Sequence, residues 1–244
     1  MLSRRELLAG TAAALAGTIG LSSAGAAVDY EGVPDDVELT FDEEWLERYQ
    51  PALIKSSDGR RRSVGLFAYR ATKEDTDTEV ACYWHRLTHQ DGLPLIGSDG
   101  HLYDHEPAYV FVEDGAVEEV VFTGYHHFAS SIEGDRLHDH LVANHTSEAT
   151  HPVLEVVDPW HHYDAVRASD SDEGERAFLA LEDFTAAESS WRANDIWEAT
   201  ASEAVYDPHS MRDRDSWWDE GTFDYRMASL WRRLDRRLGW YGSP

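Results

Sequence analysis

An α+β fold, with an antiparallel β-sandwich core, flanking helices and a helical C-terminal region, is predicted by three features of this 244-residue chain. First, residues 63–123 carry short β-type runs separated by turn residues. Second, Asp114-Gly115 stands between two apolar runs, the strongest short-range hairpin signal. The first of those runs is apolar on both faces, with Ala108, Val110 and Val112 on one and Tyr109 and Phe111 on the other, which suits an inner strand of a packed sheet. Third, the pattern turns helical after residue 175: Phe178, Leu181 and Phe184 follow at helical steps, and Leu230, Trp231, Leu234 and Leu238 form one stripe.

The chain divides into residues 1–26, a signal peptide; 27–168, a β-rich domain; and 169–244, an acidic linker and a helical region expected to pack on the same domain. Arg4-Arg5 precedes an Ala/Gly/Leu run that ends at Ala24-Gly25-Ala26, a pattern of the twin-arginine export route. An uncleaved membrane anchor is the alternative, but the run is short and Gly-rich for a span, and no later segment approaches the roughly 18 apolar residues a membrane helix needs. The mature chain is therefore expected outside the cell or at its surface, without an integral membrane segment.

In the β-rich region, residues 28–40 form an extended lead-in and 41–50 one or two helical turns before Pro51. Residues 57–60 read as a turn, 63–72 and 79–87 as strands, and 88–102 as a Gly/Asp/Pro-rich loop. The hairpin runs are 107–113 and 116–123, and further short strands are expected at 141–144 and 153–157. Asn144-His145-Thr146 matches a glycosylation sequon. Six of the nine tryptophans follow residue 190, placed to pack the C-terminal helices on the sheet.

Asp and Glu number 47 against 21 Lys and Arg, a net charge of −26, and Lys55 and Lys73 are the only lysines. Acidity spread along the whole chain, with Arg in place of Lys, is the pattern of a protein adapted to high salt, where counterions screen self-repulsion. An acidic surface for a basic partner is the alternative. Binding to nucleic acid through its phosphates is disfavoured. Cys82 is the only cysteine, so no internal disulfide forms.

Twelve of the thirteen histidines lie between His85 and His162, and the densest polar stretch is residues 97–127. A two-residue turn at Asp114-Gly115 makes Glu106 face Thr123, Asp104 face Tyr125 and Leu102 face His127. Alternation then puts Asp104, Glu106 and His127 on one side, with His105 and His126 on the other. His127 becomes the diagonal neighbour of Asp104, roughly 7–8 Å away. Carboxylates beside histidine suit a hard or borderline cation. The alternative is that Asp104 and Glu106 are rim residues and that the histidines only bond to backbone. The clusters Trp160-His161-His162-Tyr163 and His138-Asp139-His140 read as hydrogen-bonding histidines, although His138 and His140 would share a face if extended.

Residues 100–106, Gly-His-Leu-Tyr-Asp-His-Glu, resemble the Gly-His-Arg-His-Asp-Trp-Glu heptapeptide of the necrosis-and-ethylene-inducing-like proteins. Gly100, His101, Asp104 and Glu106 match; Leu102, Tyr103 and His105 do not. The strand 80–84, Asp91 after it, and His126-His127 after the hairpin also resemble that family over residues 79–130. The resemblance implies a secreted sandwich fold and a metal held by Asp91, His101, Asp104 and Glu106, with Ca²⁺ or Mg²⁺ favoured over Zn²⁺ or Mn²⁺. With the register argument, the candidate ligand set is Asp91, His101, Asp104, Glu106 and His127. Cytolytic members of the family act on sphingolipid head groups. The departures at Leu102, Tyr103 and His105 carry no such activity across.

Three functions remain open. The first is an exported, salt-adapted protein that binds a small polar ligand, glycan or lipid head group, through a divalent cation. The second is a metal-dependent hydrolase using the same cluster, and the third a non-catalytic cell-surface interaction domain without metal. A nucleophile elbow, a phosphate loop, a dinucleotide fingerprint and a His-Glu-x-x-His helix are all absent from the sequence, and whether the chain is an enzyme stays undecided at this level.

Overall fold

The computed structural model describes residues 33–90, 101–125, 128–187, 203–214 and 216–217. The signal peptide expected over residues 1–26 and the helical stripe at 230–238 lie outside them. Strand β1 (Val37–Thr40) leads to helix α1 (Glu43–Tyr49), capped by the Asp42 carboxylate, which accepts the Trp45 N–H at 3.2 Å. Such a cap satisfies one of the donors that a helix start leaves open. Helix α1 buries Leu46 and Tyr49 and ends before Pro51, as its pattern predicts.

After β2 (Ala52–Lys55), residues 57–60 are not the expected turn. They belong to helix α2 (Ser57–Arg62). The Ser56 Oγ accepts the N–H groups of Asp58 and Gly59, and Asp58 pairs with both Arg61 and Arg62, so the short run closes as a helix.

Five strands then form an antiparallel run: β3 (Ser63–Lys73), β4 (Glu79–Gln90), β5 (His101–Glu113), β6 (Ala116–Tyr125) and β7 (Phe128–Glu133). The order in the sheet is β1-β3-β4-β5-β6-β7, so β5 is an inner strand, as its two apolar faces require. The loop expected over 88–102 is strand at both ends, because the β4–β5 ladder continues as far as Gln90 opposite His101. Asp114 (φ 51°) and Gly115 (φ 80°) make the two-residue turn. Positive φ at both positions matches the twist of the flanking strands.

A bulge between Phe111 and Val112 then shifts the β5–β6 register by one. Ala108 therefore faces Phe122, and the pairing predicted from an unbroken hairpin, with Glu106 opposite Thr123, does not hold. A one-residue shift moves every later β6 side chain to the other face. The register argument for His127 over His126 fails with it, and both histidines lie outside the described residues.

The second sheet runs β10 (Tyr163–Ala165), β9 (Ala149–Val156), β2, β11 (Arg176–Ala177), with β8 (Leu141–Ala143) also on β9. The architecture is the predicted sandwich with short flanking helices, mostly antiparallel, except that β2 pairs parallel to β9. The helix expected from residue 175 starts later: β11 is strand, Leu181–Asp183 forms β12, parallel to Leu66–Ala68 of β3, and helix is found at residues 184–187 and 203–206. Strand β1 occupies only residues 70–73 of that edge of β3, so β12 covers the backbone groups left open.

Two cores lie on opposite faces of the larger sheet. Between the sheets, Leu66, Tyr83, Val110, Val120 and Phe122 pack on Leu53, Leu154, Val156 and Tyr163. On the outer face, Tyr69, Trp84, Tyr109 and Phe111 are covered by Phe184, Val205, Met211 and Trp217. Trp217 stands edge-on to Tyr109 at 4.8 Å between ring centroids. The Tyr69 and Tyr109 hydroxyls bond the Val205 and Ala204 carbonyls, so helix α3 (Glu203–Tyr206) is pinned to the sheet. Trp217 thus takes the packing role expected of the late tryptophans; positions 191, 197, 218, 231 and 240 lie outside the described residues.

Gly124, near the end of β6, is buried against Ser130 of β7, and a Cβ there would overlap the Ser130 Cβ and Oγ. Gly124→Ala should cost about 1–3 kcal/mol in chemical denaturation, and adding Ser130→Gly should recover part of it. An unchanged midpoint for the single variant would contradict this packing.

Candidate functional site

Period-two alternation along β5 turns Asp104 and Glu106 to the same side as Ala108, Val110 and Val112, into the space between the sheets. Both carboxylates are buried, at 4 % and 5 % exposure. On β4, Leu87 and His85 stand opposite them in the ladder. From the second sheet, the Tyr163 hydroxyl donates to the Glu106 carbonyl at 3.1 Å, tying β10 to the backbone just after the second acid.

The loop between β9 and β10 brings a further group. The Val157 N–H donates to the His162 carbonyl at 2.9 Å and the His161 N–H to the Val157 carbonyl at 2.8 Å, closing the loop on itself. His161 adopts φ 60°, a left-handed conformation that histidine enters more readily than most residues. Its ring is fully buried, and Nδ1–H donates to the Asp104 Oδ2 at 2.6 Å.

Beside the acids lies a second polar group. The Ser63 hydroxyl donates to the Gly59 carbonyl at 2.9 Å and accepts from the buried Lys55 Nζ at 3.2 Å. It therefore accepts the His85 Nε2–H as well, at 3.0 Å. The His85 Nδ1 is left buried without a hydrogen-bond partner among the described residues.

The electrostatics follow from this enclosure. Burial pushes the Glu106 carboxyl well above the usual carboxylate range, the charge of Asp104 adds to the rise, and the Thr123 hydroxyl opposes it. Burial also raises Tyr163, with Glu106 and Asp104 contributing. His85 is pushed down to about 3, first by burial and then by Lys55, His161 and His105. Burial and the neighbouring Arg60 lower Lys55.

A cation is the group that would resolve the strain on two enclosed acids, and the donors fit one. The Glu106 Oε2 is a buried acceptor with no hydrogen-bond partner among the described residues. Carboxylate oxygens are the donors that Ca²⁺ and Mg²⁺ take, whereas Zn²⁺ prefers nitrogen and sulfur. Of the predicted ligands, the structure brings Asp104 and Glu106 together on one buried face. The His101 backbone pairs with Gln90 at the start of β5, while its side chain, Asp91 and His127 lie outside the described residues. Among the described residues no three His, Cys, Asp or Glu groups form a complete set.

Sequence reasoning missed His161, which it read as one of a local pair of hydrogen-bonding histidines. Fifty-seven positions separate His161 from Asp104, and only the cross-sheet fold joins them. Strand periodicity over 79–87 accounts for His85 but not for its link to Ser63 and, through it, to Lys55. His138 and His140 do not share an extended face, because they lie in the 3-10 helix Gly134–His140. The sequon asparagine is committed internally: the Asn144 amide donates to the Thr150 Oγ1, and its oxygen accepts the N–H groups of Thr146 and Glu148.

No protein-family model and no curated protein matches the chain. Among solved structures, NLPPya in complex with glucosamine is similar at 11% identity and a TM-score of 0.41, over 65% of this chain and 80% of that one. Necrosis and ethylene inducing protein 2, from the causal agent of cocoa's witches' broom disease, gives 13% identity and 0.41 over 73% and 86%. The non-toxic HaNLP3 protein gives 14% and 0.42 over 66% and 81%. Likeness at this level leaves the chemistry of the site to the chain's own side chains.

His85 gives the site a pH signature. Its folded pKa of about 3 lies below the unfolded value near 6.5, so the unfolded chain takes up a proton that the folded chain refuses. Stability is therefore lost as pH falls from 6.5 towards 3, by on the order of 3–5 kcal/mol from this group. His85→Gln, which keeps a donor for Ser63, should flatten that part of the stability–pH curve measured by denaturation. Identical slopes in the two proteins would contradict the assignment.

Proposed function

We propose that the chain is an exported protein that holds a divalent cation, Ca²⁺ or Mg²⁺, with Asp104 and Glu106 and uses it to bind a polar ligand, a glycan or lipid head group. The observation that carries this reading is the pair of carboxylates buried on one face of one strand, with the Glu106 Oε2 left as an open acceptor. Two buried like charges are costly, and a coordinated cation is one of the few arrangements that offsets the cost. The remaining ligands are proposed to come from Asp91, His101 and one of the pair His126 and His127. Bound there, the ion would present a positive charge to ligand oxygens at the rim between the sheets. The ligand class follows from the heptapeptide resemblance.

Titration with Ca²⁺, Mg²⁺ and luminescent Tb³⁺ tests the site. Wild type should bind with saturable 1:1 stoichiometry, and Asp104→Asn with Glu106→Gln should abolish binding while the fold persists. Equal binding by the double variant would remove the site. A turnover of phosphoester, ester or glycoside substrates that a chelator suppresses would move the reading to the hydrolase.

We further propose adaptation to high salt, supported by the use made of the only two lysines. Lys55 is buried on Ser63, and Lys73 bridges Asp207 at 2.8 Å and Asp36 at 3.7 Å, so each amine is committed to the interior or to an acid. The melting temperature should rise steadily from low salt to molar KCl as self-repulsion is screened. A flat or falling dependence would refute the adaptation.

A further inference from the structure

We infer that His161 is the positioning residue for Asp104, backed in turn by Asp158 and Ser56, so that a polar chain crossing from the second sheet sets the orientation of one cation ligand. The inference rests on the cation site proposed above and extends it to residues that touch no ion. The first and last links are hydrogen bonds, and the middle one is an approach without a hydrogen bond. The His161 Nδ1–H donates to the Asp104 Oδ2 at 2.6 Å, and on the other side of the ring Nε2 lies 3.8 Å from the Asp158 Oδ1. The Asp158 Oδ2 accepts the Ser56 hydroxyl at 2.5 Å, and Ser56 is the residue that caps helix α2.

The arrangement does what a ligand orienter needs to do. A carboxylate on a strand rotates about its terminal torsion unless its oxygens are held; the imidazole holds Oδ2 from the opposite sheet, while the His105 N–H holds Oδ1 at 3.1 Å from within β5. Losing an outer partner of this kind typically weakens metal affinity by about 10–100-fold. The imidazole cannot turn away, because the ring is fully buried and the loop carrying it is closed by the bonds between Val157, His161 and His162. The far end of the chain is anchored in secondary structure, since the Ser56 Oγ also accepts the N–H groups of Asp58 and Gly59. A histidine that served packing alone would not need its Nδ1–H aimed at a buried carboxylate 2.6 Å away.

The test compares Tb³⁺ and Ca²⁺ affinity, with the melting temperature of the metal-free protein recorded for every variant. His161→Phe keeps a planar ring and removes the donor; it should weaken binding by about 10–100-fold. His161→Asn places an amide donor near the former Nδ1 and suits the left-handed backbone, so it should restore most of that affinity at whatever stability it has. Asp158→Asn, which leaves His161 in place, should weaken binding by a smaller factor and supplies the reading if His161→Phe does not fold. Wild-type affinity in His161→Phe, or losses in Phe and Asn variants that simply track their melting temperatures, would overturn the positioning role alone. If wild type binds neither ion, the cation site falls and this inference falls with it.

Discussion

Burying two carboxylates on the face of a strand that also packs the core is the constraint on which this molecule turns. Asp104 and Glu106 continue the same row as Ala108, Val110 and Val112, so the geometry that builds the inter-sheet core also carries the acids into it. Side-chain alternation allows no exception at the polar end of the row. Everything nearby answers that demand: Tyr163 holds the backbone carbonyl of Glu106, His161 reaches Asp104 from the opposite sheet, and Glu106 is driven towards its protonated form. A cation would relieve the same demand at both carboxylates together.

The sandwich supplies the rigidity such a site needs. Strand β5 is an inner strand, held by β4 along nearly its full length, and its outer face is sealed by Trp217 and the segment around α3. Well-packed strands hold side chains within tighter limits than loops do. The partners from the second sheet arrive on a loop closed by its own hydrogen bonds, so both walls of the site are fixed before any ligand arrives.

Much of this was legible in the sequence, and the limits of legibility have physical causes. The Asp114-Gly115 turn, the inner-strand character of 107–113 and the shared face of Asp104 and Glu106 depend on local periodicity and turn chemistry, and they hold in the structure. The Phe111–Val112 bulge has no local signature, yet by shifting the register it undid the pairing used to choose His127 over His126. Leu181–Asp183 has helical spacing but pairs as strand, because half an edge of β3 stands open beside it. His161 was invisible as a partner of Asp104, since no sequence pattern reports a contact made across two sheets.

Anomalous diffraction from crystals grown with Mn²⁺ in place of the native ion tests the central claim most directly. A single strong peak within coordination distance of both the Asp104 and Glu106 carboxylates is the result predicted. A fully substituted crystal with its peaks elsewhere, and with Glu106 hydrogen-bonded only to protein, would contradict it.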